Sequence, residues 1–231
     1  PSMRIDFVTF TGADDKTNIS DLSALGKDYP SMIEWGILLS SKNEKTRRFP
    51  SRKWIGEFVE KLDSERISGH LCGKYARDII SGRFTFAEEQ ANIVEMFDRF
   101  QINFHGLEYE IINTPLIEAI GKGRFIFQID GVNDFRFWEA VELEKDVFPL
   151  FDLSHGEGVS PENWQKPYEN IFCGYAGGLG PDNLADELKR IEDVVGDETI
   201  WIDMETKIRN DQDEFDVKLV GKCMEIAESY F

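Results

Sequence analysis

Short apolar runs and longer amphipathic stretches alternate along the whole of this chain. Asp6–Thr11 reads as a first strand, followed by a short helix over Leu22 and Leu25 that Asn18 or Ser20 would cap. Glu34–Ser40 is a second strand. After a basic loop from Lys42 to Arg48, Pro50-Ser51 precedes a helix with Trp54, Ile55, Phe58, Val59 and Leu62 at helical spacing. Arg66–Cys72 is a third strand, and beyond a break at Ser81-Gly82 the spacing predicts a main helix over Ala91, Ile93, Val94, Met96 and Phe97. Gln101–His105, Arg124–Asp130 and Val147–Ser154 are strands four to six, with helices expected near Thr114–Ile120 and from Asn133 through Leu143. Pro149 sits awkwardly in the sixth run, because proline removes a ladder donor.

The seventh unit is the most telling. Ile171–Ala176 reads as a buried strand running into Gly177-Gly178-Leu179-Gly180, and Pro181-Asp182-Asn183 opens a helix carrying Leu184, Leu188, Ile191, Val194 and Val195. Glycines allow close backbone approach, and a helix start just behind them adds unpaired N–H donors and the positive dipole end, which together suit a phosphate. An ordinary tight strand-to-helix turn would read the same way. Thr199–Met204 is the eighth strand, followed by a last helix with Phe215, Val217, Leu219, Val220, Met224 and Ile226.

Strand then helix, eight times, without a composition break, is the order of an α/β, single-domain (β/α)8 TIM barrel spanning residues 1–231. A doubly wound open sheet is the other arrangement such units permit, and the unit count favours the barrel. The strands read as near-continuous apolar runs, as expected of parallel strands covered on both faces.

Composition narrows the partners. A formal net charge of −18 argues against nucleic acid or an anionic membrane, so a bound anion would need local positive charge. No apolar run approaches a membrane span and no signal-peptide pattern opens the chain; Pro1-Ser2 before Met3 looks like a cloning remnant. Three scattered cysteines, Cys72, Cys173 and Cys223, fit reduced thiols in a cytoplasmic protein, a monomer or homodimer.

In a barrel of this kind the site lies at the carboxyl ends of the strands. His70, His105 and His155 all fall at or just past such ends, as do Asp130, Asp152 and Asp203. Asp152, flanked by Phe148, Leu150, Phe151 and Leu153, is the leading candidate for a general acid with a raised pKa. A carboxylate paired with a barrel Lys or Arg is the plainer reading. The histidines also permit a metal, but no His-x-His or Glu-x-x-His spacing is present, and no metal is expected.

Several segments resemble one family. Gln101-Ile-Asn-Phe-His105-Gly106, Phe151-Asp152-Leu153-Ser154 with Gly156 and Gly158, Ile202-Asp203-Met204-Glu205, and above all Ala176-Gly177-Gly178-Leu179-Gly180-Pro181-Asp182-Asn183 are similar to patterns of phosphoribosylanthranilate isomerase. Arg48-Phe49-Pro50-Ser51 stands where that family carries a substrate-holding arginine. The resemblance implies a single-domain barrel enzyme without a cofactor that performs an acid/base aldose-to-ketose shift on a small phosphorylated or anionic metabolite. By it, Asp152 is the general acid, Gly177 and Gly178 hold phosphate, and Arg48 meets the anionic substrate. Thr11 replaces the family's first-strand cysteine base, and a threonine hydroxyl is a poor base without an activating neighbour. Glu205-Thr206-Lys207 puts a carboxylate where phosphate donors are expected, with Lys207 or Arg209 available to offset it. His70, Gln128, Asp130 and His155 fall outside the family pattern; His70, Asp130, Asp14 and Asp15 are replacement bases, and His105, His155, Asp203 and Lys207 complete the expected binding residues. A non-catalytic phosphometabolite-binding barrel and a metal-dependent epimerase or hydrolase using the histidines are the alternatives.

Overall fold

In the computed structural model, which describes residues 2–103, 123–131, 134–152 and 161–231, eight strands close into one parallel barrel in chain order. They are β1 Arg4–Thr11, β2 Ile33–Leu39, β3 Arg66–Leu71, β4 Arg99–Ile102, β5 Arg124–Ile129, β6 Asp146–Phe151, β7 Gly174–Ala176 and β8 Thr199–Met204. β1 pairs with both β2 and β8, so the ring has no free edge. The open-sheet alternative is thereby excluded. Pro149 is accommodated opposite Phe127 within the β5–β6 pairing.

The helices form where capping and apolar periodicity agree. Asn18 accepts from the Ser20 amide to start α1 (Ile19–Asp28), and Ser51 accepts from the Trp54 amide to start α2 (Arg52–Lys61). Next come α3 (Lys74–Ile80), α4 (Thr85–Glu89) and α5 (Asp134–Glu142). α6 (Leu184–Val195) buries Leu184, Leu188, Ile191 and Val195, and α7 (Val217–Ala227) is capped by Asp216. The main helix expected over 91–97 does not form: a turn and one short 3-10 stretch, Val94–Met96, take its place. Ile93 and Phe97 still reach the core from this segment, Phe97 edge-on to Phe86. Five apolar residues in a short stretch do not discriminate a helix from an irregular wrap. The helix near Thr114–Ile120 and its start at Asn133 lie outside the described residues. Among the described residues no helix is long and apolar enough to cross a membrane.

The expected apolar strand runs need correction. Residues two apart share a face, and on the barrel's inner face β1 to β4 carry Thr9, Thr11, Glu34, Ser68, His70, Arg99 and Gln101, all buried. Glu34 on β2 takes Arg99 Nη2 at 2.9 Å from β4, two strands away, a reach that crosses the barrel interior. Thr9 Oγ1 and Arg66 Nε complete the shell of Glu34 at 2.8 and 2.9 Å. Burial opposes its ionisation, but Arg99 and Arg66 hold the carboxyl below its ordinary range. The Arg99 guanidinium lies 4.1 Å from the Trp201 ring centre and 4.9 Å from that of Phe7. The interior also holds an apolar cluster of Phe7, Ile126, Phe148, Leu150, Ala176 and Trp201.

Candidate functional site at the barrel mouth

A cavity of about 310 Å³ opens at the carboxyl ends of the strands. Its lining draws on β2, β3, β4, β5, β6, β7 and β8 and on the segments that follow them. Closure of the sheet thus brings together Arg48, His70, Asp152, Gly177, Gly178, Asp203 and Lys207 around one opening. Two of the expected catalytic residues do not line it. Thr11 is fully buried behind it, and Asp130, half-buried at the end of β5, is not among its lining residues. His105 and His155 lie outside the described residues.

Thr11 Oγ1 lies 2.9 Å from Asp203 Oδ1, a bond made possible because β1 and β8 are neighbours. Burial pushes the Asp203 carboxyl well above the ordinary range; the Thr11 hydrogen bond opposes this, while the charges of Glu205, Asp152 and Glu34 reinforce it. Burial thus favours the protonated form of Asp203 at the cavity wall. Glu205, two residues on, is also pushed up by burial, with Arg48 pulling against that shift. The carboxyls that burial pushes up are thus on β8 and the turn after it, whereas the sequence points to Asp152.

His70 sits on the inner face of β3, one residue before the strand ends. Burial lowers its pKa to about 4, the Glu34 charge opposing and the Arg99 charge assisting. It is a neutral imidazole, and its Nε2 has no hydrogen-bond partner among the described residues. A nitrogen so weakly basic does not serve as a general base at neutral pH. Gly36 explains how it comes to lie there. A Cβ on Gly36 would stand 2.3 Å from Thr11 Oγ1 and 3.0 Å from His70 Nε2, so the missing side chain on β2 lets β1 and β3 project into the same space.

The acids offered by the first loop have other work. Asp14 accepts from the Arg48 amide at 2.8 Å and Asp15 from the Ser51 amide at 2.7 Å, fixing the loop that carries Arg48. Arg48 itself adopts φ 72°. Its Nη1 meets Glu205 Oε2 at 2.6 Å, and its Nη2 lies 3.5 Å from Asp213. The guanidinium is therefore bound to carboxylates of this chain.

Gly177 and Gly178 take φ of 122° and 68°, backbone that side-chain-bearing residues avoid. Asn183 closes the turn, accepting from the Gly180 amide at 2.9 Å and donating to the Gly178 carbonyl at 2.7 Å. This consumes one of the amides a phosphate cradle would use. Lys207 compensates: a Cβ on Gly180 would stand 2.5 Å from Cβ of Lys207, so the lysine stem runs directly against the glycine segment. Among the described residues Lys207 is in no ion pair and is exposed at the cavity. Cys72 and the amides Gln101, Asn103 and Gln128 line the rest; burial pushes the Cys72 thiol up to about 12, so it stays protonated. Gln101 and Asn103 do not stand out in the sequence as separate signals, although their spacing of two on an inner strand face could flag them. Among the described residues no group of three or more His, Cys, Asp or Glu side chains could hold a metal ion.

No protein-family model matches the chain, and no curated protein sequence matches it. Solved structures do. Monomers of the dimeric phosphoribosylanthranilate isomerase from Thermotoga maritima align over 97% of this chain and 99% of theirs, with a TM-score of 0.59 and 16% identity. A phosphoribosylanthranilate isomerase in complex with reduced 1-(o-carboxyphenylamino)-1-deoxyribulose 5-phosphate gives 0.58 and 15% over 97% and 99%. A putative spore coat polysaccharide biosynthesis protein E from Chromobacterium violaceum gives 0.63 and 10% over 96% and 74%. At such identities the likeness establishes the barrel fold.

Proposed function

We propose that the chain is one barrel domain and an isomerase-like enzyme that moves a proton on a small phosphorylated, sugar-like substrate. The observation that carries this reading is a carboxyl pair at one cavity, Asp203 pushed toward its protonated form by burial and Asp152, just past the end of β6, contributing charge that adds to the push. A proton donor and a proton acceptor facing one cavity are what acid/base catalysis requires. Asp203 enters as proton donor, its hydroxyl held toward the cavity by Thr11, and Asp152 takes the proton. This assigns Asp203 the donor's part that the sequence resemblance gives to Asp152. Phosphate binds at Gly177, Gly178 and Lys207. Two structures that share the fold are phosphoribosylanthranilate isomerases, and one holds a carboxyphenylamino derivative of deoxyribulose 5-phosphate; only the phosphorylated sugar part of that ligand is carried over here, on the strength of the glycine segment and the lysine beside it.

Deuterium exchange tests the chemistry even before a product has been identified. In heavy water, ribose 5-phosphate incubated with the enzyme is expected to gain deuterium at the carbon next to its carbonyl, read by proton NMR. Asp152→Asn should slow this by about 10²–10⁴-fold while leaving affinity for inorganic phosphate within a few-fold. Equal exchange in both proteins contradicts the assignment. Binding without exchange in the unmodified protein favours the non-catalytic reading.

A further inference from the structure

The lining of the cavity limits what else its ligand can carry. Glu205 takes Arg48 Nη1 at 2.6 Å, and both side chains are more than two-thirds buried, so the guanidinium is offset where a second anionic group would meet it. Asp213 reaches the other arm of Arg48, and the Arg48 amide is bound by Asp14, so the arginine is held from three sides. That leaves Lys207, beside Gly177 and Gly178, as the cation turned to the cavity without an ion pair among the described residues. The same cavity is lined by His70, whose buried Nε2 has no hydrogen-bond partner among the described residues. A buried polar atom without a partner is costly, and it is satisfied by a hydroxyl or carbonyl group of a ligand.

We infer that the cavity selects a ligand with one anionic end and an uncharged oxygen at the other, Glu205 excluding a second anionic group by holding Arg48, and His70 receiving a hydroxyl or carbonyl. The inference rests on the phosphate reading above and deepens it. A sugar monophosphate fits; a substrate bearing both phosphate and carboxylate does not, because the carboxylate would have to displace Glu205 from Arg48 and would meet the charge of Asp152 as well. Excluding the wrong ligand by repulsion is a common device of specificity. His70 acts here as a specificity-determining contact, not as a base.

Calorimetric titration with three probes separates the possibilities: inorganic phosphate, ribose 5-phosphate, and 5-phosphoribonate, which differs from the sugar by a carboxylate. The unmodified protein is expected to bind ribose 5-phosphate at least roughly tenfold more tightly than 5-phosphoribonate. Glu205→Gln should erase most of that preference by improving 5-phosphoribonate. His70→Phe should weaken ribose 5-phosphate toward the affinity of inorganic phosphate, and His70→Gln should restore part of it. Inorganic phosphate bound equally by every variant shows that each is folded. Equal affinity of the unmodified protein for the sugar and the acid overturns the inference and leaves the phosphate reading standing. Failure of all three probes to bind removes both.

Discussion

His70 shows how burial writes chemistry into a single side chain. With its pKa pushed down to about 4 from an ordinary 6.5, the folded protein keeps the imidazole neutral at a pH where the unfolded chain protonates it. Stability from this group is therefore complete above pH ~6.5 and falls as pH drops toward about 4, by roughly 3 kcal/mol for a shift of this size. Chemical denaturation of the unmodified protein and of His70→Gln at neutral and acidic pH should show the variant losing less stability over that interval. Parallel curves would show that His70 is not held neutral by its surroundings. Gly36 is its structural counterpart. Gly36→Ala puts a methyl group 2.3 Å from Thr11 Oγ1 and 3.0 Å from His70 Nε2, and overpacking of this kind costs about 1–3 kcal/mol. A melting temperature lower by roughly 2–4 °C per kcal/mol is expected, whereas an unchanged one would mean that the three strands part without strain. Neither residue's role is legible in the sequence. His70 is visible there as a histidine near a strand end, but its weak basicity comes from burial inside the closed barrel, with the Arg99 charge assisting and the Glu34 charge opposing.

At the level of elements, the informative feature is the polar inner face of β1 to β4. Arg66, Ser68 and His70 alternate with Ile67, Gly69 and Leu71, a period-two pattern open to inspection, yet masked by the apolar half of each strand. β4 begins two residues earlier than its apolar run suggests for the same reason: Arg99 looks like a solvent-facing boundary residue and is instead fully buried against Glu34. Strands exist where their neighbours demand, and Arg99 pairs in register with Ser68 of β3. Glu34→Gln would leave Arg99 and Arg66 without their counter-charge inside the barrel. Removing one partner of a buried pair costs about 3–5 kcal/mol, so this variant is expected to unfold at markedly lower denaturant concentration. A loss below about 1 kcal/mol, within what exposed pairs contribute, would show that water reaches the pair.

For the whole molecule, eight repeated units make the barrel legible, and the strand order β1 to β8 follows it without exception. The mouth is legible too, because strand ends converge by topology alone. What the chain order conceals is proximity between its two ends. Thr11 and Asp203 are 192 positions apart and meet only because β8 closes onto β1. Arg48 and Glu205 are likewise joined across 157 positions, so an arginine expected to meet ligand is committed to a carboxylate of its own chain. In a molecule with a net charge of −18, the phosphate reading proposed above therefore assigns the anion to the glycine segment and Lys207, by local backbone dipoles and one ammonium group. A crystal of the protein soaked in phosphate tests that directly. Tetrahedral density against the amides of Gly177 and Gly178 and the Nζ of Lys207 is the predicted result; density absent there, or found only against Arg48 with Glu205 displaced, would contradict it.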